Sequence, residues 1–340
     1  MMKKAVWFTW VLALALCLSS LAGCVQTPVD MQPPDTAVAV PAESTPSPIP
    51  TPAPEPTPKS FELTGQIDEQ VVYDEGGLVV KALSMEVKET AIDASTGEEK
   101  DVTPYVALNL SIENRTEMSV NVRAYATAVN GITTNDYSFI YLLGPGTSGE
   151  ASFSVGDLNV FSLAGITDVA EVSFSLQFDD YDTWDEFAEA TVTLSTGIAG
   201  SYTQQRPELQ GVVYDQNGVT IMPLGKDLEG KYSFIGPGLM LYVENNTDQA
   251  LWIDGRYDAK INGIDLGLAD YDDFGAYSVS YILPGKCAYT SLIIEDWQME
   301  IAGVSSVADV HEIECAFVFS EMGDFENILL ETPIVTMHFE

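Results

Sequence analysis

The chain of 340 residues carries 51 Asp and Glu against 14 Lys and Arg, a formal net charge of -37. A field of that sign repels phosphate backbones and anionic headgroups, which excludes nucleic acid as a partner and electrostatic adhesion to a lipid surface. Apolar residues make up 46% of the chain and alternate in organised runs, so the part beyond the first sixty residues reads as folded.

The N-terminus has the three parts of a secretory leader: Lys3 and Lys4, an apolar core over residues 5–18, and small residues after it. That core is shorter than the roughly 20 residues a membrane-spanning helix needs, so the segment reads as a leader that is removed. Leu21-Ala22-Gly23-Cys24 resembles the bacterial lipobox. The resemblance implies cleavage between Gly23 and Cys24 and a diacylglycerol on the Cys24 thiol. It also implies a chain held by lipid at the outer face of the cell membrane.

Residues 24–60 follow as a tether. Proline recurs there with Thr, Ser, Ala and Glu, ending in a run of Pro-x pairs from Pro46 to Pro58. Each proline lacks an N–H and biases its predecessor toward extended backbone, so this stretch is expected to be a disordered, semi-rigid spacer rather than part of a core. At roughly 3.1 Å per residue it spans on the order of 100 Å.

The remainder contains an internal repeat in preserved order. Val71-Val72-Tyr73-Asp74 recurs as Val212-Val213-Tyr214-Asp215, Glu113-Asn114-Arg115-Thr116 as Glu244-Asn245-Asn246-Thr247, and Asn130-Gly131-Ile132 as Asn262-Gly263-Ile264. Gly144-Pro145-Gly146 matches Leu283-Pro284-Gly285, and Ala164-Gly165-Ile166 matches Ala302-Gly303-Val304. Two domains are expected, 61–200 and 206–340, joined near 197–207, each long enough for its own core.

Within each copy the apolar period is two. Val106, Leu108, Leu110 and Ile112 share one strand face, as do Leu239, Leu241 and Val243. Val172, Phe174, Leu176 and Phe178 correspond to Ile313, Cys315, Phe317 and Phe319 in a late strand. The first two strands of each copy form a hairpin that turns at Gly76-Gly77 and at Asn217-Gly218. One short helix is expected per copy, carrying Leu158, Phe161 and Ala164 after Asp157, and Trp297 and Ile301 after Asp296. The fold class is all-β: two tandem antiparallel β-sandwich domains, each with one short helix.

A strand ending in Glu-Asn-x-Thr, a Pro-Gly turn before another strand, and a late alternating strand together resemble the immunoglobulin-like domains of surface lipoproteins in Gram-positive bacteria. The resemblance covers most of both copies. It implies architecture and location, and carries no catalytic residue across.

Few residues are patterned for chemistry. Gly144-Pro145-Gly146-Thr147-Ser148-Gly149 fits a dinucleotide fingerprint in form, but an alternating strand pattern follows it where a helix is required. His311 and His338 read as ordinary strand residues. With Cys17 lost and Cys24 lipidated, Cys287 and Cys315 remain; export permits a bridge, whereas the parity of the two positions argues against one. Acidic loop tips are the candidate sites: Asp180, Asp182 and Trp184 between the last strands of the first copy, and Tyr271 and Asp272 in the second. Their carboxylates could ligate Ca²⁺, and acids beside an aromatic ring could grip a glycan. The expectation is a non-enzymatic binding or spacer module without a required cofactor, meeting a protein or glycan at the cell surface. The competing reading is a glycosidase, which needs two carboxyls converging in a cleft.

Overall fold

Asparagine and glycine punctuate the chain and set its hairpins. The computed structural model describes residues 61–92, 98–232, 236–267, 276–321 and 324–340. Leu21, Ala22, Gly23, Cys24 and the tether lie outside the described residues. In the first copy β1 (Gln70–Glu75) turns into β2 (Leu78–Ile92) through Gly76 and Gly77, both at positive φ, with Glu75 facing Leu78. In the second, β9 (Tyr214–Gln216) turns into β10 (Val219–Asp227) through Asn217 and Gly218 with the same geometry. Two left-handed residues in succession match the twist of the flanking strands, which is why these turns favour Asn and Gly.

The first copy continues as β3 (Glu99–Asn114), β4 (Val120–Val129), β5 (Ile132–Leu143), β6 (Ser148–Asp157), α1 (Leu158–Leu163), β7 (Glu171–Asp180) and β8 (Glu186–Ser195). The second continues as β11 (Gly238–Asn245), β12 (Leu251–Ile261), β13 (Ile264–Asp265), β14 (Ala276–Tyr277), β15 (Tyr281–Ile282), β16 (Cys287–Ile293), α2 (Asp296–Ala302), β17 (Glu312–Glu321), β18 (Asp324–Glu331) and β19 (Val335–His338). The pairing repeats with the sequence. Order β1-β2-β3-β6 recurs as β9-β10-β11-β16, and β8-β7-β4-β5 recurs as β18-β17-β12-β13.

These four layers form three sheets among the described residues, because the middle two are fused. Strand β5 of the first copy lies parallel to β16 of the second, Cys287 beside Ile132 and Ala288 beside Thr133, giving one nine-stranded sheet through both copies. The first core packs Leu78, Val106, Leu108, Leu110 and Ile112 against Val172, Phe174, Leu176 and Phe178, all fully buried. The second packs Leu239, Leu241 and Val243 against Ile313, Cys315, Phe317 and Phe319. Each fully buried Leu or Phe side chain contributes about 1.5–3 kcal/mol, so the alternating faces expected from sequence are where most of the stability lies.

The repeated polar residues hold corners. Asn114, fully buried, donates through Nδ2 to the carbonyls of Met118, Leu143 and Gly144, and accepts at Oδ1 from the Thr116 N–H and hydroxyl. Asn245 repeats this with Gln249, Ile282 and Thr247. Asn130, left-handed at the β4–β5 turn, bonds Asp168 O and the N–H groups of Ala170 and Glu171; Asn262 does the same with Asp309, His311 and Glu312. Each amide fixes the loop that leads into a late strand.

The helices form where expected. Asp157 caps α1, accepting the N–H groups of Asn159 and Val160, and Phe161 is buried. Helix α2 is capped by Glu295 and closed by left-handed Gly303, but Trp297 and Ile301 point outward, 41% and 47% exposed, while Gln298 and Ala302 face the core. Their spacing of four placed them on one side of the helix without saying which side meets the sheets.

Candidate functional site

The β7–β8 hairpin brings three of the sequence candidates together. Asp180 accepts the N–H groups of Asp182 and Thr183 at 2.8 and 3.1 Å, and its carbonyl accepts the Trp184 N–H at 2.8 Å. Trp184 sits at φ 61 and is 60% exposed, its ring centre 6.3 Å from that of Tyr181. The Asp180 carboxylate therefore closes its own turn, and Asp182 is exposed beside it. Among the described residues no group of three or more His, Cys, Asp or Glu side chains is arranged to hold a metal ion. Tyr271 and Asp272 lie outside the described residues.

The acid next to this tip has a different role. Asp179 is fully buried and pairs with the Arg123 guanidinium, which also lies 5.6 Å from the centre of the Tyr125 ring. Burial works against the Arg123 charge, but its contacts with Asp179, Tyr125 and Tyr137 hold its pKa above the ordinary value. Burial, followed by repulsion from Glu189, raises the nearby Glu186 carboxyl. A buried, paired acid orders the sheet face rather than presenting itself to a ligand.

The richest polar geometry lies where the copies meet, and the sequence candidates do not include it. Asp136 on β5 accepts the backbone N–H groups of Ser280 and Tyr281 at 2.6 and 2.9 Å. Burial pushes its carboxyl up to about 6. Around it Tyr137, Tyr125, Tyr281 and Trp252 pack in that order as a chain of tilted and edge-on rings, with successive centres 5.1, 6.0 and 4.2 Å apart. Lys286 pairs with Glu171 at 2.8 Å across the same boundary.

On the other side of β5, Arg206 from the connecting segment reaches Glu244 at 3.0 Å, and the Tyr242 hydroxyl donates to the same carboxylate at 2.6 Å. Burial raises the Glu244 carboxyl, and the hydrogen bonds from Tyr242, Asn246 and Arg206 outweigh that and hold it below its ordinary value. Met222, Tyr242, Cys287 and Tyr289 of the second copy complete the first copy's core. Cys287 and Cys315 are both free and buried, because they face opposite cores: Cys287 the first, Cys315 the second. The bridge that export permits is thus absent.

The sequence held a signal for this junction. By strand register, Met222, Tyr242 and Tyr289 stand where the first copy has Lys81, Ser111 and Glu150. Polar residues in one copy and large apolar residues at the matching positions of the other mark the face that only the second copy buries.

The fingerprint-like loop at Gly144 leads into β6, a strand, as its alternation indicated. His338 lies 3.4 Å from Glu312 on neighbouring strands, and the His311 N–H is taken by Asn262. A cavity of about 360 Å³ lies beside α2, lined by Leu228, Pro237, Ile293, Met299 and Val307 with Asp296 at its edge. No protein-family model matches the chain, and no curated protein matches its sequence.

Proposed function

We propose that the chain is a membrane-anchored extracellular lipoprotein whose two immunoglobulin-like β-sandwich domains act as a non-catalytic binding or spacer module at the cell surface. The observation that carries this reading is Leu21-Ala22-Gly23-Cys24 at the end of a leader-like apolar run, followed at once by the proline-rich tether. The fused sheet supports it from the other end. The two copies share a core and a β5–β16 pairing, and a continuous sheet of this kind suits a module that must be held out at a distance. The acids of the first-copy tip support it as well, since Asp179 is paired internally and Asp180 closes its own turn.

Fractionation of cells expressing Cys24→Ala tests the anchor. The variant is expected in the medium or as an unprocessed precursor. Partition with membranes indistinguishable from wild type would overturn the lipid reading.

A further inference from the structure

A cleft of about 630 Å³ opens between the two copies, lined by β3, β6 and α1 on one side and by the Gly230–Lys231 loop on the other. This volume falls within the roughly 300–1,000 Å³ of small-ligand sites, which occur preferentially at such boundaries. Its chemistry comes from six side chains: Thr103, Tyr105, Ser154, Asp157, Asn159 and Lys231. Several of these are held in place. Asp157 uses Oδ1 to cap α1, accepting from Asn159 and Val160 at 2.8 and 2.9 Å. Asn159 Nδ2 donates to the Lys231 carbonyl at 3.3 Å, tying the two walls together at one end. The Lys231 ammonium lies 5.3 Å from the centre of the Tyr232 ring.

We propose that this cleft binds a neutral saccharide of two or three sugar units. The inference deepens the surface-module reading and rests on it only for the source of the ligand. An apolar ligand would strip water from a carboxylate, an ammonium, an amide and three hydroxyls without replacing their hydrogen bonds. An anionic ligand has one Lys to meet and must enter the field of a chain at -37. A free metal ion finds a single carboxylate in the lining. A neutral sugar matches each group. Its C–H face covers the half-buried Tyr105 ring, and its vicinal hydroxyls both donate to Asp157 and the Asn159 carbonyl oxygen and accept from Lys231 and the Asn159 amide. Thr103 and Ser154 serve as either partner.

Calorimetric titration of the full-length protein in mild detergent tests the site, with cellotriose, maltotriose and tri-N-acetylchitotriose as neutral probes and trigalacturonic acid as the anionic one. At least one neutral trisaccharide is expected to bind, and trigalacturonic acid at least about tenfold more weakly. Tyr105→Ala is expected to weaken binding about tenfold, Asn159→Ala about fivefold, and Tyr105→Phe less than threefold. Thermal melts of each variant establish that the fold is retained, and Tyr105→Phe keeps the ring that Tyr105→Ala removes from β3. Absence of heat and of a thermal shift with all three neutral sugars overturns the proposal. So does binding that both Tyr105→Ala and Asn159→Ala leave unchanged, or trigalacturonic acid binding as tightly as the neutral probes. The Cys24→Ala fractionation reads location alone, so the two readings can fail separately.

Discussion

The Asp136 carboxylate of the first copy accepts the Tyr281 N–H of the second at 2.9 Å, closing a backbone that β15 leaves open at the boundary. Tyr281 and Tyr125 pack nearby and Arg123 lies beyond them, and among the described residues no cation pairs directly with this acid. Desolvation therefore dominates, and the folded-state value of about 6 stands above the ordinary 3.8. The folded protein holds this proton more tightly than the unfolded chain does. The group's stabilising contribution is complete below pH 3.8 and is lost as pH rises through 6. Between pH 7 and pH 5 acidification should add about 1 kcal/mol of stability, the full shift of about 3 kcal/mol at ~1.4 kcal/mol per unit being reached only below the unfolded value. Urea unfolding of wild type and Asp136→Asn at both pH values checks this: the gain at pH 5 is expected in wild type and absent in the variant.

Asp168 behaves in the opposite sense. Burial raises its carboxyl, but bonds from Thr64, Gly65 and Val169 outweigh that and hold it below the ordinary carboxylate value. Its contribution is present above the unfolded value and is lost as pH falls through the lowered one. Those bonds dock the segment that leads into β1, and Glu62 adds a backbone bond to Thr167. Acidification below pH 4, or Asp168→Ala at neutral pH, should raise amide exchange at Thr64 and Gly65 before the strands respond. Hydrogen-exchange mass spectrometry reads this directly. Gly65→Ala should release the same segment, because a Cβ there would lie 2.0 Å from the Val169 carbonyl oxygen.

Much of this was legible in the chain. The Gly-Gly and Asn-Gly turns, the period-two faces around Leu108 and Phe174, and the cap at Asp157 all rest on local rules that act within a few residues. The junction does not. In β11 every residue from Gly238 to Asn245 is buried, because Leu239, Leu241 and Val243 face their own core while Met240, Tyr242 and Glu244 face the other way, with Tyr242 completing the first copy's core. A strand covered on both sides loses the contrast that alternation reports. The helix that carries Trp297 and Ile301 forms as their spacing indicated, but a two-turn helix with apolar residues on several sides does not reveal which stripe the sheets cover. Asp136 carries no sequence signal of its own; only pairing across the boundary makes it an acceptor for the second copy's backbone.

Cys287 and Cys315 offer a test of the separate cores. Burial raises both thiols, that of Cys315 to about 12. Neither should react with iodoacetamide in the native protein without reductant, and both should be modified in full after denaturation. Peptide mass mapping distinguishes this from a bridge, which would leave both unmodified even when unfolded. Selective loss of Cys287 protection on mild destabilisation would mark the junction as the first part to open.

The junction also fixes how the two copies unfold. Met222, Tyr242 and Tyr289 complete the first copy's core, so neither copy retains all its buried surface alone, and thermal unfolding should proceed as one transition. The first copy's own residues at the matching positions, Lys81, Ser111 and Glu150, show what an unshared face of this fold carries. Replacing Tyr242 by its counterpart, Tyr242→Ser, removes a fully buried ring and the hydroxyl that bonds Glu244, a loss of about 3–5 kcal/mol. The cost falls on the boundary, because β11 keeps Leu239, Leu241 and Val243 for its own core. Differential scanning calorimetry should then resolve two transitions where wild type shows one. The corner variants Asn114→Ala and Asn245→Ala, each within one copy, should lower the midpoint while keeping a single transition. If Tyr242→Ser melts in one step with a calorimetric enthalpy equal to the van't Hoff value, coupling through the β5–β16 pairing alone suffices and the shared core is not what joins the copies.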